Sequence, residues 1–170
     1  MQVLVDEFEK LAGRWIVLAI LEADLSASMH DDKYEMNGHL VRRCMIDGGR
    51  AVKIVVNKFW RDFETHFCAG RRVFQIEFQT TSDRNTSCLN FVFGHFAHGD
   101  AWYDSFEEWA TQVESTTAKG DAFFLADFNV EARCGHRSRD HEEKWHTLES
   151  FLANRDLCSL QTLDVDTITR

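Results

Sequence analysis

Between Arg71 and Thr80 the side chains alternate with a period of two. Phe74, Ile76 and Phe78 fall on one face, and Val73, Gln75, Glu77 and Gln79 on the other. This is the pattern of a half-buried β-strand rather than a helix. After a polar turn at 81–87, Cys88–His95 repeats it, with Leu89, Phe91 and Phe93 on the face that His95 continues. Two strands alone are marginal in water, and an apolar sheet face must be covered by a second layer. The chain is therefore committed to a layered fold built on a sheet.

The flanking segments supply further strands and the cover. Trp15–Leu21 is a continuous apolar run, read as a buried strand ending in Glu22 and Asp24. Residues 26–38 read as a polar loop. Val41–Ile46 and Ala51–Asn57 read as a hairpin turning at Asp47-Gly48-Gly49. A helix is expected over 2–12, from Val5, Phe8, Leu11 and Ala12, with Gly13 as its stop. A second starts at Asp104 or Ser105, with Glu107 or Glu108 as capping-box partner, and buries Phe106, Trp109, Ala110 and Val113. A strand over 121–127 follows, then a loop rich in Arg and His. The last helix, about Glu142 to Asn154, buries Trp145, Leu148, Phe151 and Leu152, and Leu157–Thr162 reads as a short strand. Strands followed by strand–helix–strand–helix–strand predict an α/β (α+β) class, a mixed sheet covered by helices.

At 170 residues the chain is expected to form one domain, 1–170, with a real core. Its 44% hydrophobic and 28% charged residues exclude disordered and collagen-like classes. A net charge of −9 argues against binding nucleic acid by unspecific electrostatics alone. It leaves a nuclease open, because carboxylates can hold a divalent metal that then meets the phosphate. Five cysteines without a C-x-x-C fit a reduced protein better than a disulfide scaffold. No signal peptide is visible, and the longest apolar run, Trp15 to Leu21, is too short to cross a bilayer. An intracellular location, cytoplasmic or nuclear, is expected, with no membrane partner.

The chemistry concentrates where apolar strands end in polar groups. In Phe123-Phe124-Leu125-Ala126-Asp127-Phe128-Asn129 an apolar run stops at a carboxylate, with a carboxamide two residues on. In an extended strand Asp127 and Asn129 project to the same side, and the residues before them hold that end in a core. An acid beside a neutral hydrogen-bonding group suits water activation near an anion. Strand ends also carry Asp and Asn simply because these residues form turns. Glu22 and His95 stand at two further strand ends. Were the three ends to share one edge, they would assemble a metal-binding carboxylate, an imidazole, an acid and an amide, a set suited to metal-assisted phosphodiester hydrolysis. Cys134, His136, His141 and His146 are zinc-ligand types, but their spacing fits no common zinc module, and a solvated polar loop is the better reading.

Leu125-Ala126-Asp127-Phe128-Asn129 resembles the G-D-F-N strand of the endonuclease/exonuclease/phosphatase superfamily, the DNase I-like proteins. Asn90-Phe91-Val92-Phe93-Gly94-His95-Phe96-Ala97-His98 is similar to that family's N-x-x-x-x-H-x-P-H strand, and one amphipathic helix separates the two in both cases. Ile20-Leu21-Glu22 resembles its leucine-glutamine-glutamate strand end. The nearest flavour is the endonuclease domain of non-LTR retrotransposons. The resemblance implies two packed mixed sheets flanked by helices, a four-layer αββα sandwich. It implies Mg²⁺ (or Mn²⁺) as cofactor and DNA as substrate. Glu22 would ligate the metal, Asp127 orient or deprotonate the attacking water, Asn129 position water and phosphate, and His95 hydrogen-bond the scissile phosphate. The family's first strand, bearing an Asn, and its closing Ser-Asp-His strand have no counterpart here, and Ala126, Ile20 and Ala97 replace its Gly, Gln and Pro. The resemblance thus implies an incomplete copy. Its alternative is a catalytically inactive remnant that binds or self-associates through unpaired sheet edges.

Overall fold

The computed structural model describes residues 10, 15–24, 32–46, 50–82, 85–117, 121–130 and 139–157. The chain divides into two compact units, Met1–Phe128 and Asn129–Arg170. The helix expected over 2–12, the turn at 47–49 and residues 158–162 of the last expected strand lie outside the described residues.

The first unit is a sandwich of two four-stranded sheets. One has the order β1 (Val17–Asp24), β4 (Arg50–Val56), β3 (His39–Ile46), β2 (Asp32–Met36), with every neighbour antiparallel. The second has the order β5 (Glu64–Ala69), β6 (Val73–Ser82), β7 (Asn85–His95), β8 (Asp121–Asp127); its β7–β8 pair is parallel and the others antiparallel. Only the second sheet is therefore mixed, where two mixed sheets were expected. Cys44, Ile46, Val52, Ile54 and Val56 of the first sheet meet Phe74, Ile76, Phe78, Phe91 and Phe93 of the second in one buried core. These are the period-two positions of their strands, as sheet-on-sheet packing requires. The other face of the first sheet buries a smaller cluster around Trp15, Val41 and Val55.

Helix α1 (Trp102–Thr117) lies against the second sheet's other face. Trp102, Trp109 and Val113 form its buried stripe, and Trp109 meets Phe96, Phe124 and Phe128 ring to ring. A polar ladder ties helix to sheet: Gln112 Nε2 donates to Gln75 Oε1, and Gln75 Nε2 donates to Asn90 Oδ1 at 3.1 Å. Asn90 is fully buried there, so this member of the Asn90–His98 motif has a packing role.

Several elements differ from expectation. Residues 26–38 are not all loop: Asp32–Met36 forms β2, an edge strand whose alternation is masked by charge on its open face. β1 spans Val17–Asp24 where Trp15–Leu21 was expected, ending at the carboxylates as read, with its register to β4 shifted between Ile20 and Asp24. α1 begins at Trp102 rather than at Asp104 or Ser105. Ser105 is no cap: its Oγ donates to Ala101 O and accepts from Ala97 N–H, each at 3.1 Å. β8, by contrast, has the span expected, Asp121–Asp127, and so ends short of Asn129.

In the second unit α2 (Arg139–Ala153) buries Leu148 and Phe151, while Trp145 and Leu152 are half-buried. Its C-terminus closes by two reversed hydrogen bonds, Leu157 N–H to Leu152 O at 3.0 Å and Asp156 N–H to Ala153 O at 3.4 Å. This is the Schellman arrangement, with Asp156 at φ 53° in the left-handed position usually given to glycine.

Candidate functional site

The parallel β7–β8 ladder sets the geometry of the strongest candidate. Its register runs Phe91↔Phe123, Phe93↔Leu125 and His95↔Asp127. Paired residues of neighbouring strands share a face, at backbones about 4.8 Å apart. His95 and Asp127 are thus neighbours at the carboxyl ends of adjacent strands. His95 is buried, and Asp127 is exposed. The strand alternation of β8 leaves Asp121, Phe123, Leu125 and Asp127 on the open side.

The apolar part of β8 is not the core anchor that its sequence suggests. Phe123 remains 50% exposed and Leu125 48%, although Phe123 stacks on Phe91 with centroids 5.4 Å apart. β8 ends the sheet order, and so does β1 in the facing sheet. The two strands flank an open groove of about 360 Å³, lined by Val17, Ala19, Leu21, Phe93, Leu125 and Asp127 among others. β1, which carries Glu22, and β8, which carries Asp127, therefore bound the same side of the sandwich. The Glu22 side chain lies outside the described residues.

The strand ends are braced from the helix side. Trp102 Nε1–H donates to Phe128 O at 2.7 Å, and Phe96 N–H donates to Asp127 O at 3.0 Å. Ser105 holds Ala97 as described. At Gly94 a Cβ would lie 3.1 Å from Trp109 Cδ1 and 3.2 Å from Ala126 Cβ. This small pair lets Trp109 sit close over both strands.

Arg72 completes the arrangement. It follows from the β6–β7 register, in which Val73 pairs with Gly94 and His95 N–H donates to Arg72 O at 3.0 Å. Arg72 Nη1 then reaches His95 O at 3.3 Å and lies 3.4 Å from His95 Nδ1. Both oxygens of Glu108 accept from Arg72 N–H at 3.3 Å. In the sequence Arg72 is only part of an alternating strand, and Glu108 only a capping-box partner.

Asn129 opens the second unit with φ 50°, a left-handed conformation that Asn tolerates better than most residues. The expectation that pleat alternation puts Asn129 on the side of Asp127 therefore fails, because the extended backbone it needs ends at Asp127. Of the zinc-type residues, Cys134 and His136 lie outside the described residues. His141 and His146 are five apart on α2, roughly 140° around the axis, so they do not share a face.

Among the described residues no group of three or more His, Cys, Asp or Glu side chains converges to hold a metal. Mg²⁺ asks less of a protein, keeping several waters and taking one or two carboxylates. The exposed Asp127 carboxylate is a donor of that kind. No helix among the described residues is long and apolar enough to cross a membrane. No protein-family model matches the chain, and no curated protein or solved structure matches it significantly.

Proposed function

We propose that the chain is a metal-dependent phosphodiesterase of the endonuclease/exonuclease/phosphatase superfamily, cutting DNA in the manner of a retrotransposon endonuclease. The observation that carries this reading is the His95↔Asp127 register at the ends of two parallel strands. It pairs a hydrogen-bond donor for a phosphoryl oxygen with an exposed carboxylate that can orient or deprotonate water. Two face-to-face sheets with a helix on the outer face of one also supply three layers of the four in a DNase I-like sandwich.

Asp127, at the edge of the groove between β1 and β8, takes the proton of the attacking water. His95, held by β7 and Arg72, hydrogen-bonds the scissile phosphate as charge grows on its oxygens. Asn129 has the task of positioning water and phosphate on the strength of the resemblance alone. Glu22, on the strand across the groove from β8, would hold Mg²⁺ or Mn²⁺. A bound divalent ion supplies Lewis-acid stabilisation of the phosphoryl oxygens. Hard carboxylate oxygens at 22 and 127 suit that ion better than zinc.

Incubation of the purified chain with supercoiled plasmid and Mg²⁺ tests this. Nicking is expected, abolished by chelation and in Asp127→Ala. A folded chain that leaves the plasmid intact at high protein and Mg²⁺ concentration overturns the proposal in favour of the inactive remnant.

A further inference from the structure

We propose that β8 is a docking edge for an extended segment of a partner protein, one that carries two apolar side chains at alternate positions and a lysine or arginine beyond them. The inference is independent of the proposed function.

β8 ends its sheet, with β7 as its one neighbouring strand among the described residues. Its alternation puts Asp121, Phe123, Leu125 and Asp127 on one face, and all four are exposed. Stacking on Phe91 still leaves Phe123 50% exposed. Leu125 lines the groove of about 360 Å³ whose other wall is Val17, Ala19 and Leu21 of β1. Apolar side chains rimmed by acids have the make-up of a protein-binding surface, and an edge strand is a template for a further strand.

A strand laid along β8 sets its alternate side chains directly against those of β8. Such cross-strand pairs stabilise when apolar meets apolar and when opposite charges meet. The row Asp121, Phe123, Leu125 therefore specifies basic, apolar, apolar at every second position of the segment. Main-chain hydrogen bonds would supply the affinity and these alternate side chains the selectivity.

Charge disfavours the other occupants. A second copy pairing antiparallel about Phe124 would match Phe123 with Leu125 but set Asp121 opposite Asp127, and like charges directly opposite destabilise a pair. A nucleic-acid strand would bring its phosphates to Asp121. The net charge of −9 adds to the preference for a basic partner.

The probe is an end-blocked peptide, Lys-Thr-Val-Thr-Val-Thr-Lys, which reads the same in either strand direction, titrated into the ¹⁵N-labelled full chain. Amide shifts are expected along β8, with an affinity at least about tenfold above that of the same peptide with Glu in place of Lys. Asp121→Lys, at an exposed position outside the proposed catalytic residues, should abolish that preference, and Leu125→Ser should remove binding of both peptides. No shift along β8 with the lysine peptide, equal binding of the two peptides, or a preference unchanged in Asp121→Lys overturns the inference. So does a wild-type chain that sediments as a dimer and reverts to monomer in Leu125→Ser, which would make a second copy the occupant. None of these readouts depends on plasmid cutting, so the proposed function can fail while this inference stands, and the reverse.

Discussion

A side chain at Gly94 has nowhere to go. Its Cβ would stand 3.1–3.2 Å from Trp109, Phe96 and Ala126, all held by the aromatic cluster under α1. The conformation is not the issue, since only Gly38 and Gly99 among the described glycines have positive φ; the space is. Gly94→Ala should therefore destabilise the protein by about 1–3 kcal/mol, the usual cost of overpacking, as a lowered urea midpoint with an unchanged slope. Single residues were unevenly legible in the sequence. His95 and Asp127 stood out because each interrupts an apolar strand. Arg72 did not, because its meaning depends on register. The β6–β7 ladder pairs down to Ser82↔Asn85, and that hairpin alone places residue 72 opposite 95. A polar stretch spanning 81–87 leaves the turn, and so the partner of His95, undetermined. Asn129 misled for a related reason: pleat alternation holds only while the strand lasts.

At the scale of elements, period-two patterning was readable wherever one face is buried and the other polar, as in β6 and β7. It failed at edges. β2 has charged residues on its open side, and β5 buries none of its residues outright, its exposure running half-buried, exposed, exposed. Such strands are defined by the neighbour they pair with rather than by their own hydrophobicity. Helix ends were displaced for a comparable reason. Ser105 looked like a cap from its type and spacing but is occupied with Ala97 and Ala101 inside the helix. At the other helix, Asp156 occupies a left-handed site at φ 53°. That conformation costs a residue with a Cβ energy that glycine does not incur. Asp156→Gly should stabilise the chain by about 0.5–1 kcal/mol, a raised melting temperature being the readout. A loss of stability would mean that the Asp156 side chain matters more than its backbone.

Across the first unit, two features tie one sheet to the other. The apolar one is the shared core of β3, β4, β6 and β7. The ionic one is Arg42 of β3, which pairs with Glu64 of β5 and lies over Phe67 at 4.3 Å. Both side chains are nearly buried, at 15% and 9% exposure, while Arg42 Nε and Glu64 Oε2 have no hydrogen-bond partner among the described residues. A pair so enclosed and only half satisfied is costly to break and cheap to replace. Glu64→Leu alone should cost about 2–4 kcal/mol, and adding Arg42→Met should recover most of it. Additive losses in chemical denaturation would contradict this. The pair marks the β3–β5 side of the sandwich, and the groove between β1 and β8 marks the other, open side.

At the strand ends, the proposed function has His95 and Asp127 act as one unit, because the parallel register sets them side by side. Groups that act together lose function together: each single loss is large, and the second adds little. The direct measurement is plasmid nicking with Mg²⁺ by wild type, His95→Ala, Asp127→Ala and the double variant. Wild type is expected to be active, the single variants slowed by at least about 10²-fold, and the double variant little slower than the worse single. Multiplicative losses, or activity surviving in Asp127→Ala, would contradict it.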